Sequence, residues 1–313
     1  MKRFSGAKGV LYVVATPIGN LGDITLRALE VLKEVDVIAA EGVNRTKALC
    51  NYYGIKTRLR RFNQHNQRKA GPELIGLLGS GKNVALVTNA GTPCISDPGV
   101  YLVSSALEAG LQVVPVPGPS AVTAGLSVSG TRADKFVFLG FLPARRGQRR
   151  KELDRWKRQV LPLVIYEAPH RIKDTLRDIL EVIGEVRITM LRELTKVHEE
   201  IRRHRASEML KSVEGSEVRG EIVLVVEAAS GKEEALNEEI KAYLDRLVLR
   251  EDLPIKQIAT KISAETGSSY RKIYKACLEM RRALKEGMEG ETLAAQHAKA
   301  GRHGSKQDPE GDQ

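Results

Sequence analysis

Two polar runs carry the groups best suited to handling protons. Glu167-Ala168-Pro169-His170-Arg171 closes a β-forming run over residues 163–166, and Arg192-Glu193-Leu194-Thr195-Lys196-Val197-His198-Glu199-Glu200 follows another apolar stretch. Carboxylate, imidazole and ammonium groups at strand ends can accept, donate or polarise a proton. The same groups also build solvated faces and ion-pair networks, so residue type alone leaves both readings open. Four runs of β-formers end in glycine- or proline-rich turns: residues 10–15 into Thr16-Pro17-Ile18-Gly19-Asn20, 84–88 into Asn89-Ala90-Gly91-Thr92-Pro93, 113–116 into Pro117-Gly118-Pro119-Ser120-Ala121, and 163–166 into the first polar run. Ligands of parallel α/β sheets bind outside the carboxyl ends of strands. Glycine allows close backbone approach there and proline fixes the path. Any βα connector needs turn residues, but four such turns in one chain favour a built ligand cradle.

The elements that must position these groups follow from periodicity. From Val10 to about Gly130, strand-like runs (35–40, 84–88) alternate with helical patterns (25–34, 99–109), the signature of βαβ units and a mostly parallel sheet. Asp23 is the expected N-cap of the first helix. A second α/β region opens at Phe136-Val137-Phe138 and closes at residues 220–227, with a helix over 170–183. Residues 192–205 alternate in polarity and suit an antiparallel strand pair. The expected organisation is an N-terminal α/β domain over 9–130, a second over 131–230, a helical extension over 231–286 and a disordered tail over 287–313. In the extension Leu247, Ile255, Ile258, Ile262, Ile273 and Leu278 are the expected core. Gly267 within Glu265-Thr266-Gly267-Ser268-Ser269 suits the turn of a helix-turn-helix, or of a plain helical hairpin.

At 313 residues and 42% hydrophobic content, the chain can build about two cores. A net charge of +11 points to a polyanionic partner such as RNA. Cys50, Cys94 and Cys277 lie far apart, which excludes a disulfide framework and fits a reducing cytoplasm. No apolar run approaches 18 residues, so neither a signal peptide nor a membrane span is expected. Dinucleotide, P-loop and hydrolase-elbow fingerprints are missing, as is any metal-ligand spacing.

Taken together, Leu11-Tyr12-Val13-Val14-Ala15-Thr16-Pro17-Ile18-Gly19-Asn20-Leu21-Gly22-Asp23-Ile24-Thr25, Ala90-Gly91-Thr92-Pro93, Ile95-Ser96-Asp97-Pro98-Gly99, Pro117-Gly118-Pro119-Ser120-Ala121, Tyr166-Glu167-Ala168-Pro169-His170-Arg171 and the run 192–200 resemble the tetrapyrrole-methylase-like superfamily, in its 16S rRNA (cytidine-2′-O)-methyltransferase branch. The resemblance covers residues 9–228. It implies two α/β domains, not of the Rossmann type, with S-adenosyl-L-methionine (SAM) in the cleft between them. It further implies a homodimer and a target ribose in the decoding centre of small-subunit rRNA. Pro17, Gly19, Asn89, Ala90, Gly91, Thr92, Pro93, Gly118 and Ser120 are then the expected cofactor contacts, and Glu41, His65, Glu167, Glu193 and Lys196 the catalytic candidates. His65 leads as base, since an ordinary imidazole is half-poised near neutrality.

The chain departs from the family where relatives read Ala-Glu-Asp-Thr-Arg and it has Ala40-Glu41-Gly42-Val43-Asn44, followed by Arg45. Asn63-Gln64-His65-Asn66-Gln67 stands for His-Glu-His-Asn-Glu, and Asn89 for an aspartate. These exchanges leave open a paralogue that binds RNA or SAM without turnover; a methylase of a small anionic macrocycle is the other alternative. Arg60, Arg61, Arg145, Arg146, Arg149 and Arg150 form basic clusters with few aromatics between them. That pattern favours backbone and shape contact with structured RNA over base stacking.

Overall fold

The computed structural model describes residues 8–158, 160–215, 217–227, 238–248, 253–266, 268, 270 and 273–282. They fall into two compact units, residues 1–230 and 231–313.

The first unit opens with five parallel strands: β1 (Val10–Val14), β2 (Val37–Ala40), β3 (Arg58–Arg61), β4 (Val84–Val87) and β5 (Gln112–Val116), ordered β3-β2-β4-β1-β5. The central strands β2 and β4 are apolar and buried at every position, as expected of strands covered on both faces. α1 (Leu26–Glu34) and α2 (Val43–Tyr52) share one core with Val10, Tyr12, Ile38 and Ala85. α3 (Gln67–Gly79) and α4 (Val100–Glu108) share the opposite core with Leu11, Val37, Ala39 and Leu86. Alternate residues of each strand thus feed opposite helical layers. The cap of α1 is Thr25, whose hydroxyl accepts from Ala28 N–H at 3.2 Å, and not Asp23, which sits in the preceding 3₁₀ turn.

The second sheet is mixed, with β6 (Val137–Phe141), β7 (Leu163–Glu167), β8 (Arg187–Arg192), β9 (Glu200–Arg205) and β10 (Ile222–Val226) ordered β6-β7-β10-β8-β9. Only β6 and β7 run parallel. β8 and β9 form an antiparallel pair, but of residues 192–205, whose alternation suggests both strands, β8 holds only Arg192: it is the apolar run Arg187–Arg192, and residues 193–199 are the connecting turn. α6 (Arg146–Trp156), α7 (Ile172–Val182) and α8 (Ala206–Glu214) cover one face. The other face receives α5 (Ala121–Val128), which leaves the first sheet after β5 and packs Val122 and Leu126 on Val164, Leu191, Val223 and Val225. Tertiary packing therefore carries α5 across to the second sheet, although it precedes Gly130 in the chain.

The second unit is helical, with α9 (Glu238–Val248), α10 (Ile255–Thr266) and a further helical stretch over 273–282. Leu247, Ile258, Ile262 and Ile273 are buried as predicted, and Ile255 packs at the margin. Leu278 is 45% exposed, and the adjacent Cys277 is buried in the core instead. Gly267 and Ser269 of the expected turn, and the expected tail over 287–313, lie outside the described residues.

Candidate functional site

The carboxyl ends of β1 and β4 are tied together outside the sheet. Thr16 and Gly91 exchange backbone hydrogen bonds, each 2.9 Å, in an isolated antiparallel bridge. Gly91 has φ +74°, a conformation that a side chain disfavours. Thr92 Oγ1 donates to Pro119 O at 3.1 Å, which binds the turn after β4 to the turn after β5. Three of the four turns singled out in the sequence are thereby joined into one ledge.

The second sheet closes on this ledge through the turn that follows β8. Asn20 N–H donates to Thr195 Oγ1 at 3.0 Å. A Cβ on Gly19 would overlap Lys196 Cγ and lie 2.8 Å from both Leu194 O and Thr195 Oγ1, so the glycine admits that turn at close range. Glu193 (φ +52°) and Thr195 (φ +66°) hold left-handed conformations there, as do Cys94 (φ 71°) and Ser96 (φ 62°) in the turn after β4. Strained non-glycine residues persist where the surrounding structure over-determines them, and they cluster at functional sites.

Between these turns lies a cavity of about 400 Å³, within the range of small-molecule sites. Asn89, Ala90, Gly91, Thr92 and Ser120 of the expected cofactor set line it. Pro17, Gly19, Pro93 and Gly118 do not. Gly19 instead admits the Leu194–Lys196 turn, and Gly118 packs on Ala15 and Thr25. Ile18, Leu194, Ile222 and Val223 supply an apolar wall, while Asp97, Glu167, Glu221 and Arg45 supply charge.

The catalytic candidates divide. Glu167 lines the cavity at 2% exposure; its carboxylate accepts from Thr175 Oγ1 at 2.5 Å and from Ala168 N–H at 2.8 Å, and faces Arg171 Nε at 3.3 Å. Glu41 stands behind the ledge, accepting from Asn89 N–H at 3.0 Å. Glu193 and Lys196 form a network in which Lys196 Nζ donates to Glu193 at 2.7 Å and to cavity-lining Glu221 at 3.1 Å. Desolvation pulls the ammonium down, but the hydrogen bonds and charges of Glu193 and Glu221 together hold it above the ordinary lysine range. The hydrogen bond from Lys196 first, then Glu221 N–H, keeps Glu193 below the usual carboxylate range. Lys196 is thus a fixed cation and Glu193 a weak base. His65 is exposed in the turn before α3, its N–H donating to Asn63 Oδ1 at 3.1 Å, and it is not part of the cavity wall.

Sequence reading did not single out Asp97. Burial first, and the charge of Glu41 second, push its carboxyl up from 3.8 to about 6. Desolvation, followed by Asp97, pushes Tyr166 up to about 12. Asp97 lies in the Ser96-Asp97-Pro98-Gly99 turn, where an aspartate reads as ordinary turn chemistry. Arg45 does line the cavity, one position after the arginine expected from the family pattern.

The basic clusters also divide. Arg149 is corrected: it is 3% exposed and its guanidinium meets buried Asp178 at 2.7 Å, because α6 packs against α7. Arg146 and Arg150 reach Glu181 at 3.3 and 2.5 Å, and Arg60 pairs with Glu73. Arg61 and Arg145 are exposed. Among the described residues no cluster of His, Cys, Asp or Glu could hold a metal, and no helix is long and apolar enough to cross a membrane.

A ligand-sized cavity thus lies between a parallel sheet and a mixed sheet, in a chain without a dinucleotide fingerprint. The sequence profile of the Tetrapyrrole (Corrin/Porphyrin) Methylases matches residues 10–210, and the chain belongs to that family of SAM-dependent enzymes. It is 43% identical over 273 residues to a protein of Neisseria meningitidis serogroup B named Ribosomal RNA small subunit methyltransferase I, covering 86% of this chain and 93% of the relative. A Thermotoga maritima protein of the same name is 48% identical over 225 residues, covering 72% of this chain and all of the relative. Among solved structures, uroporphyrin III C-methyl transferase from Thermus thermophilus superposes with TM-score 0.52 at 18% identity, over 71% of this chain and 98% of that one. The methyltransferase CobJ gives TM-score 0.55 at 16% identity, over 71% and 95%. These two likenesses establish the fold alone.

Proposed function

We propose that this chain transfers a methyl group from SAM to the ribose 2′-hydroxyl of a decoding-centre cytidine in 16S rRNA. The observation that carries the reading is identity above 40%, across nearly their full length, to proteins named for methylating small-subunit ribosomal RNA. That identity also favours an active enzyme over an impaired paralogue. The macrocycle alternative rests on structural neighbours at 16–22% identity and on no feature of this cavity.

The residues present fit the cofactor. The ledge Asn89–Thr92 and the start of α5 offer backbone donors and acceptors, and Ile18, Leu194, Ile222 and Val223 offer an apolar bed for a purine. The carboxylates of the wall suit a ligand bearing positive charge. When bound, SAM supplies an electrophilic methyl on a sulfonium, transferred by in-line displacement. The protein's part is then largely alignment, which can contribute several kcal/mol to such a reaction, about 7–11 at best. A ribose hydroxyl is a weak nucleophile, so a group that takes or polarises its proton helps. Lys196 is already protonated and Glu193 is held ionised. Glu167, whose side chain is fully buried and already held by Thr175, Ala168 and Arg171, serves the site through its negative charge.

RNA docking falls to exposed Arg61 and Arg145, with Arg146 and Arg150 contributing net charge beyond their acidic partners. We assign the protein to the cytoplasm, where ribosomal subunits reside, and to a homodimer. The test uses purified chain, methyl-labelled SAM and small subunits from a strain lacking the modification. Label in the 2′-O-methylcytidine fraction supports the reading. Subunits left unlabelled, while the Neisseria relative labels them, would overturn it.

A further inference from the structure

The acids around the cavity are not equivalent. Glu167 is committed to Thr175, Ala168 and Arg171, Glu221 to Lys196, and Glu41 to the amide of Asn89. Asp97 lines the same cavity, yet among the described residues it makes no hydrogen bond and no ion pair. A half-desolvated carboxylate beside a second acid, with no partner of its own, is an unfavourable arrangement that a cation would relieve.

Resting on the reading that this cavity takes SAM, we propose that Asp97 is the specificity-determining residue by which the site prefers the cationic methyl donor to its neutral demethylated product. The donor carries a permanent sulfonium charge. The product, S-adenosylhomocysteine, has a neutral thioether at the same position and is otherwise identical. Asp97 therefore gains a counterion from the donor that it does not gain from the product. Transfer of the methyl removes that attraction, which favours product release and exchange.

The charged and titratable groups around Asp97 are Glu41 at the end of β2, Arg45 on α2, Cys94 on its own turn, Tyr166 and Glu167 on β7, and Glu221 before β10. Glu41 acts on Asp97 in the raising direction. Arg45 shares the wall without neutralising it. Asn89, where the family pattern has an aspartate, keeps a third carboxylate from adding to this acid pair.

The proposal makes donor binding proton-linked. Below about 6 Asp97 is mostly neutral, and binding a sulfonium beside its ionised form then requires release of a proton. Titration calorimetry of the full chain with SAM and with S-adenosylhomocysteine, from pH 5 to 8, reads this directly. Donor affinity should be about tenfold weaker at pH 5 than at pH 7, and product affinity flat across the range. Asp97→Asn should flatten the donor's profile and bring its affinity toward that of the product at pH 7. Parallel profiles for the two ligands in the wild type would place Asp97 against the α-ammonium that both carry, and would overturn the proposal alone. Binding of neither ligand at any pH would overturn the SAM reading and the proposal with it. Should Asp97→Asn fail to fold, the wild-type contrast between donor and product decides the matter.

Discussion

Gly42 is where the chain's departures from its family meet the geometry of the cavity. Its backbone, φ −112° and ψ 96°, is extended and accepts any side chain, so the glycine is not there for conformational freedom. It is there for space. A Cβ on Gly42 would overlap Oδ1 of Asn89 and lie 3.2 Å from its Cγ. The obstacle is the tip of a half-buried side chain, so Gly42→Ala should swing the Asn89 amide away. An off-rotamer amide costs about 0.5–1.5 kcal/mol, and alanine for glycine at the cap of α2 adds about 0.5. Stability should thus fall by about 1–2 kcal/mol, well short of unfolding a marginally stable domain. The cavity should suffer more specifically, since the displaced amide either blocks space or withdraws a hydrogen bond of about 1 kcal/mol, some fivefold in affinity. A double-mutant cycle isolates the coupling. SAM affinity by calorimetry should drop about fivefold for Gly42→Ala with Asn89 present, and hardly change for the same exchange in an Asn89→Ala background. Equal losses in both backgrounds would refute the interlock. By the same reasoning, restoring the family aspartate at position 42 should impair binding unless Asn89 is shortened with it.

Four further outcomes follow from named contacts. The raised carboxyl of Asp97 favours its neutral form in the folded state, so that contribution is complete below about 4 and lost as pH rises through about 6. Asp97→Asn should therefore gain melting temperature over the wild type progressively between pH 4 and 7, whereas a gain constant with pH would contradict this environment. Arg149→Ala leaves buried Asp178 only the longer contact from exposed Arg146, 3.3 Å away, and should cost up to about 3 kcal/mol in urea unfolding. Arg145→Ala should leave stability within about 0.5 kcal/mol but lower the salt slope of RNA binding by about one, and an unchanged slope would return Arg145 to a merely solvated face. Gly19→Ala meets Leu194 O, a backbone atom that cannot rotate away. It should cost about 1–3 kcal/mol and weaken SAM binding by calorimetry, and undiminished affinity would show that this contact does not shape the cavity.

What the sequence made legible is what local rules govern. Continuous apolar runs give β2 and β4, turn residues mark where β1, β4, β5 and β7 end, and polarity alternation gives β9. Those rules act over a few residues and mark the turn Asn89–Thr92, which contacts with Thr16, Glu41 and Pro119 then fix as a ledge. The less legible features each depend on a partner far away in the chain. Arg149 reads as one cation in a basic cluster, and only the packing of α6 on α7 buries it against Asp178. Gly19 reads as a ligand-binding glycine, but its hydrogen atom makes room for Leu194 and Thr195. α5 reads as the last helix of a first domain, but Val122 and Leu126 find their core on the second sheet. Asp97 reads as turn chemistry, and its altered acidity arises from burial and from Glu41 at the end of another strand. His65 shows the converse case: a residue type suited to catalysis, placed by Asn63 and Asn66 in an exposed turn outside the cavity wall. Motifs thus locate the loops that form a site, while the charge and access of each side chain within it are set by contacts that only the folded chain brings together. The exchanges at positions 42 and 89 illustrate the point best. Read singly, each is the loss of a family acid; the fold adds that they are neighbours, because the side-chain tip of Asn89 stands where a side chain at position 42 would begin.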